Sequence, residues 1–142
     1  MVQKYEWSLL ILRFVLGITF LIHGIAKFEM GLGNVAGWFQ SIGIIGFFAY
    51  VVAFIELLAG IALIIGFGTK IASALIAFVM VGAIFSAKLS AGFMGNAQMA
   101  GYELEIAFLV MAVVLSISGS PWYALENKFF TSKETTKSKV AA

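Results

Sequence analysis

The chain has 142 residues, 62% of them apolar and 11% charged, with a mean hydropathy of +1.05. Soluble domains carry roughly 45 to 50% apolar residues, and a chain of this size cannot hide the excess from water, so the bilayer is expected to act as solvent for most of the side chains. A net charge of +2 is too small to argue for a nucleic-acid partner, and the absence of cysteine excludes thiol–disulfide exchange, thiolate-bound iron–sulfur clusters and covalent haem attachment.

Residues 7–25 form the first of four apolar stretches; the others are 47–67, 71–89 and 102–118. Each is about 17 to 21 residues long, which at 1.5 Å rise per residue crosses a hydrocarbon core of about 30 Å with some tilt and interfacial flanks. The first follows Lys4 and resembles a signal peptide, but at about 19 residues it is longer than the apolar core of a leader and is read as a retained helix. Between the first two spans Asn34 is expected to cap a short interfacial helix in which Val35, Trp38, Phe39 and Ile42 recur at helical spacing. Three glycines with Asn96 and Gln98 mark residues 91–101 as a flexible outer loop. Glu103 and Glu105 open the fourth span, and a Lys, Ser and Thr tail after Pro121 and the aromatic Trp122 reads as disordered.

The expected fold is therefore an all-α integral membrane protein, a four-transmembrane-helix bundle with a short interfacial helix between the first two spans. The membrane domain takes residues 1–126, and residues 127–142 form a basic polar tail. An even number of spans puts both termini on one side. Lys4, Lys70, Lys128, Lys133, Lys137 and Lys139 then share that side, against Lys27 and Lys88 on the other, so both termini are placed in the cytoplasm of a multi-pass membrane protein.

Charges at membrane depth single out candidate functional residues, because an ionisable group there costs at least about 2.5 to 3.5 kcal/mol and needs a partner or water. Arg13, Gly17, Phe20, Gly24 and Lys27 fall on one face of the first span, with His23 on its flank. Glu56 lies mid-way along the second span, on a face with Ala53, Gly60, Leu63 and Phe67. In an antiparallel hairpin it comes level with the stretch from Gly17 to His23, so His23 or Arg13 is the expected partner. Tyr102 and Glu103 lie close in depth to His23, Lys27 and Lys88, whereas Glu105, two residues on, is expected to face the headgroups. Each charge has a plainer reading: Lys27, Lys88 and Glu105 as snorkelling anchors, Arg13 with Glu56 as a packing pair, His23 as a packed ring beside Gly24. Their convergence favours a site.

The runs Arg13-Phe-Val-Leu-Gly17-Ile-Thr-Phe20-Leu-Ile-His23-Gly24-Ile-Ala-Lys27 and Glu56-Leu-Leu-Ala-Gly60-Ile-Ala-Leu63-Ile-Ile-Gly66, followed by Tyr102-Glu103-Leu-Glu105 and Gly119-Ser-Pro121, resemble the DoxX family of small four-helix bacterial membrane proteins. The likeness extends to about Asn127. It implies a compact bundle in the bacterial plasma membrane and an oxidoreductase role connected with quinones, catechols and oxidant stress.

On that basis the expected activity is that of a membrane oxidoreductase, or a subunit of one, acting on a quinone- or catechol-like substrate. His23 is the proton donor and acceptor, Glu56 the carboxylate that relays or orients, and Arg13 and Lys27 the cations that stabilise an anionic reduced ring; Tyr102 and Glu103 close the mouth. No residue set here spells a metal site or a redox centre, so electrons are assigned to a flavin, to the substrate itself or to a soluble redox partner. Two other readings stand beside this one: a non-enzymatic scaffold for a redox complex, and a small transporter that would need a homo-oligomer.

Overall fold

The computed structural model describes residues 2–119, which are helical apart from short connections and an isolated bridge between Gly95 and Ala100. The elements are α1 (Val2–Met30), α2 (Leu32–Ser41), α3 (Phe47–Ile65), α4 (Thr69–Ala83) and α5 (Glu103–Ser118). Helix α4 runs on without a break through a π-helical turn (Ile84–Lys88) and a 3-10 turn (Leu89–Ala91). Three stretches among the described residues are long and apolar enough to cross a membrane: Gln3–Met30, Phe47–Ile65 and Thr69–Ala91. Helix α5, at 16 residues, rises about 24 Å.

Four helices close a ring: α1 packs on α3, α3 on α4, α4 on α5, and α5 back on α1. The pattern of buried residues follows helical spacing. Leu9, Arg13, Leu16 and Phe20 point inward from α1, Ala53, Glu56, Ala59 and Leu63 from α3, Ala72, Ile76 and Met80 from α4, and Ala112 and Leu115 from α5. The outward positions are just as apolar, with Ile11, Ile18, Ile22, Phe54, Leu58 and Ile117 exposed. A surface of that kind suits lipid, where the backbone's polar groups must be satisfied within the helices.

Glycine sets the register of the α1–α3 seam. A β-carbon at Gly60 would fall 2.5 Å from the Leu21 backbone nitrogen, and one at Gly24 would fall 2.7 Å from that of Leu57. The two backbones touch, as a small-residue helix interface in lipid requires. This contact brings Glu56 level with the end of α1 and not with its middle. The reason is helix length: α1 continues to Met30, past the apolar stretch that ends at residue 25.

Helix α2 rests on α3 through Val35, Phe39 and Ala49. Its start differs from the expected cap. Gly31, at φ 87°, turns the chain, and the Asn34 amide reaches back to donate to the Met30 carbonyl at 2.8 Å. Asn34 lies inside the helix. Residues 91–101 form a tied loop: Asn96 Oδ1 accepts from the amides of Gln98 and Met99, and the amides of Tyr102 and Glu103 donate to the carbonyls of Gly92 and Phe93.

The bundle ends can be told apart. The Tyr5 hydroxyl donates to Ser118 Oγ at 2.9 Å, and Lys70 lies against Gly119, so the start of α1, the start of α4 and the end of α5 share one end. Lys27 and Lys88 lie toward the other. Trp122, Tyr123, the tail lysines and the boundary near residue 126 lie outside the described residues.

Candidate functional site

Toward the end of the bundle marked by Lys27 and Lys88, all five helices contribute to a cavity of about 640 Å³. Its walls are mostly aliphatic, with Phe20, Phe39, Phe48, Phe78 and Phe108 among them, and Phe20 meets Phe108 edge to face with centroids 5.5 Å apart. Charge enters at two places. Lys27 Nζ donates to Glu56 Oε2 at 2.6 Å across the α1–α3 seam, and Lys88 Nζ lies 2.8 Å from Glu105 Oε1 between the end of α4 and α5. Both pairs line the cavity.

The carboxylates are the deeper members of each pair. Glu56 and Glu105 side chains are 6% and 13% exposed, against 17% and 26% for Lys27 and Lys88. Glu56 thus finds Lys27 and not His23 as its contact in the cavity. The lysines do not snorkel away as simple anchors. Each is drawn inward by a carboxylate that would otherwise be stranded at apolar depth.

His23 also lines the cavity, on its exposed side, with its ring centroid 6.0 Å from that of Phe20. Arg13 is elsewhere. It is buried at 1% exposure, ten residues and so about 15 Å before His23 along the helix, with its guanidinium carbon 5.1 Å from the Phe14 ring centroid. Tyr102 stacks edge-on against Phe93 at 5.8 Å, Glu103 is exposed, and neither lines the cavity.

The carboxylate that α5 sends inward is therefore Glu105, opposite to the headgroup-facing expectation. It shares a face with Phe108, Ala112 and Leu115 at spacings of three, four and three, and Ala112 and Leu115 are fully buried in the core. That packing rotates Glu105 in and Glu103 out. Glu105 Oε2 is itself buried, and no hydrogen-bond donor among the described residues reaches it.

Sequence reasoning also passed over Ser86. Three consecutive residues, Ser86, Ala87 and Lys88, line the cavity from the π-helical turn. The Ser86 hydroxyl donates to the Gly82 carbonyl, which lets a side chain compete for an oxygen that an α-helix reserves for its own backbone. Such turns interrupt α-helices mostly in single pieces and often at functional sites.

The sequence model of the DoxX family matches residues 8–89, which is more than half of the chain. The chain belongs to the DoxX family. The matched region holds His23, Lys27, Glu56, Ser86 and Lys88 and stops before Glu105. This DoxX protein is 38% identical over 132 residues to the Bacillus subtilis (strain 168) protein named "Putative oxidoreductase CatD", covering 93% of this chain and 94% of that one. It is 30% identical over 133 residues to "Uncharacterized membrane protein Rv3486" of Mycobacterium tuberculosis, covering 85% of this chain and 80% of that one. No solved structure matches it. It is a membrane protein of a family with an oxidoreductase-named member.

Proposed function

We propose that this DoxX protein binds the ring of a quinone- or catechol-like substrate in the five-helix cavity and takes part in its oxidation and reduction, alone or as a membrane subunit. On this reading it contributes to resistance against quinone or oxidant stress. The observation that carries it is a cavity of about 640 Å³ with apolar walls that include Phe20, Phe39, Phe48, Phe78 and Phe108, its charge confined to two lysine–carboxylate pairs. Ligand pockets have this make-up, a largely apolar lining with a few placed polar groups. The name of the Bacillus relative points the same way.

Interconverting a quinone and its diphenol moves two electrons and two protons. The protons have carriers: Lys27 and Glu56 form a joined donor–acceptor pair inside, and His23, exposed at the cavity, exchanges with water. The lysine ammonium groups favour the negative charge that develops on ring oxygens. The electrons come from a donor outside the described residues, a flavin or a soluble redox partner. Arg13, Tyr102 and Glu103 take no part in ring contact on this reading.

The same reading makes α5 the fourth span, α2 an interfacial helix, and both termini cytoplasmic, with residues 1–126 as membrane domain ahead of a basic tail. It is supported by the closed four-helix ring and by the sorting of Lys4 and Lys70 to one end and Lys27 and Lys88 to the other.

The test is an absorbance spectrum with extracted-cofactor analysis of the detergent-solubilised protein, followed by titration with a benzoquinone. Bound flavin or quinone, or saturable quinone binding lost in Phe108→Ala, supports the proposal. A colourless protein that binds no quinone overturns it and leaves the scaffold reading.

A further inference from the structure

The cavity sorts its lining by polarity. Its charges sit on two walls, Lys27 with Glu56 across the α1–α3 seam and Lys88 with Glu105 between the end of α4 and α5. The side between α3 and α4 carries none: no charged residue occurs from 47 to 55 or from 71 to 87. Lining residues on that side are also exposed at the outer surface, Phe48 at 47%, Leu75 at 40% and Phe78 at 77%. Gly82, which lines the cavity and is exposed as well, leaves open space where a side chain would stand. Residues that line a cavity and face outward at once form its rim. A rim without charge, on helices that span a bilayer, meets acyl chains and not water.

A second hollow, of about 680 Å³, runs along the outer face of the same two helices toward the turn at 66–68 that joins them. On α3 its lining extends from Phe47 to Ala62, about 22 Å of helix. It holds no charged residue, and it shares Val51, Ile55 and Leu75 with the cavity, so the two volumes meet at three aliphatic side chains.

We infer that the cavity is loaded sideways from the bilayer, between α3 and α4, by a single-chain amphiphile. Its polar head passes the rim to the lysine–carboxylate pairs, and its alkyl chain stays in the groove along α3 and α4. The inference holds for any head the cavity takes, and so stands apart from the ring reading. Lipid tails are as apolar as the groove, so the chain gains little affinity by moving from one to the other. What the groove fixes is the path of the ligand and the direction in which its head points. The competing entrance is the aqueous end of the cavity beside His23, Lys27 and Lys88.

The experiment reads the arrival of a thiol reagent, since the chain has no cysteine of its own. Val52→Cys puts a thiol on the cavity wall, and Ile18→Cys puts one on the outward face of α1. The full chain is reconstituted in lipid nanodiscs, where both aqueous faces are open. Labelling by N-dodecylmaleimide, N-ethylmaleimide and a sulfonated, membrane-impermeant maleimide is followed by intact mass. The dodecyl reagent is expected to label position 52 severalfold faster than the sulfonated one. Gly82→Trp fills the open space at the rim and leaves helix packing alone, so it is expected to slow dodecyl labelling severalfold at position 52 and not at position 18. Leu58→Trp fills the groove outside the cavity, and is expected to slow the dodecyl reagent at position 52 while sparing the ethyl one. Sulfonated labelling as fast as dodecyl labelling assigns entry to the aqueous end and overturns the inference, and this comparison needs no blocking variant to fold. Dodecyl labelling unchanged in Gly82→Trp or in Leu58→Trp also overturns it. None of these results bears on the ring reading, which the benzoquinone titration decides.

Discussion

Lys27 and Glu56 meet at 2.6 Å at the end of the α1–α3 seam, one turn past the place where Gly24 lets the two backbones touch. Breaking a buried pair from one side strands the other charge, at a cost of about 3 to 5 kcal/mol when burial is complete. Lys27 retains 17% side-chain exposure, so the lower end applies. Lys27→Met is expected to lower the midpoint of unfolding in mixed micelles, and Lys27→Met with Glu56→Gln to recover part of that loss. A double variant no more stable than the single one would show that the two residues act separately.

Gly60→Val tests the seam itself. Its β-carbon would lie 2.5 Å from the Leu21 nitrogen, so the helices must part, at a cost of about 1 to 3 kcal/mol typical of overpacking. Gly82→Ala has nothing within 4 Å and gains helix propensity, about 1 kcal/mol at most. Thermal denaturation in detergent is expected to rank the variants Gly82→Ala, wild type, Gly60→Val in falling order.

His23→Gln separates proton exchange from packing. Glutamine keeps a donor and an acceptor but cannot titrate near neutrality. Insertion and abundance are expected to hold, and protection of cells against a quinone or catechol to fall. Full protection by an abundant His23→Gln protein would remove His23 from the proton path.

The orientation of the bundle is checked by labelling. The chain has no cysteine, so Ser138→Cys and Asn96→Cys each introduce a single thiol. In intact cells a membrane-impermeant thiol reagent is expected to label position 96 and to spare position 138 until lysis. The reverse pattern would invert the topology.

What the sequence discloses depends on contrast along each helix. On α1 and α3 glycine and charge interrupt an apolar background at spacings of three and four, and the face they mark is the face that packs. Helix α5 offers no such contrast. From 106 to 118 Ser116 and Ser118 alone are polar, so its rotation is invisible until Ala112 and Leu115 are seen in the core, and with it the choice between Glu103 and Glu105. Lys27 has the look of an anchor because apolarity ends near residue 25, but the helix continues to Met30 and carries the lysine into the bundle. The cap of α2 is hidden for another reason. Gly31 acts through a positive φ that no side-chain pattern announces.

The turn from Ile84 to Lys88 closes hydrogen bonds one residue wider than an α-helix does, so it behaves as a helix that has absorbed one extra residue. The helix before it and the turn after it keep the phase they would have without that residue. One position can therefore be removed from this stretch with little disturbance to either flank: the shortened segment relaxes to ordinary α-helical geometry, while the lining that Ser86, Ala87 and Lys88 present to the cavity is rearranged. Length variation at this point is a route by which related chains can keep one scaffold and reshape what it holds.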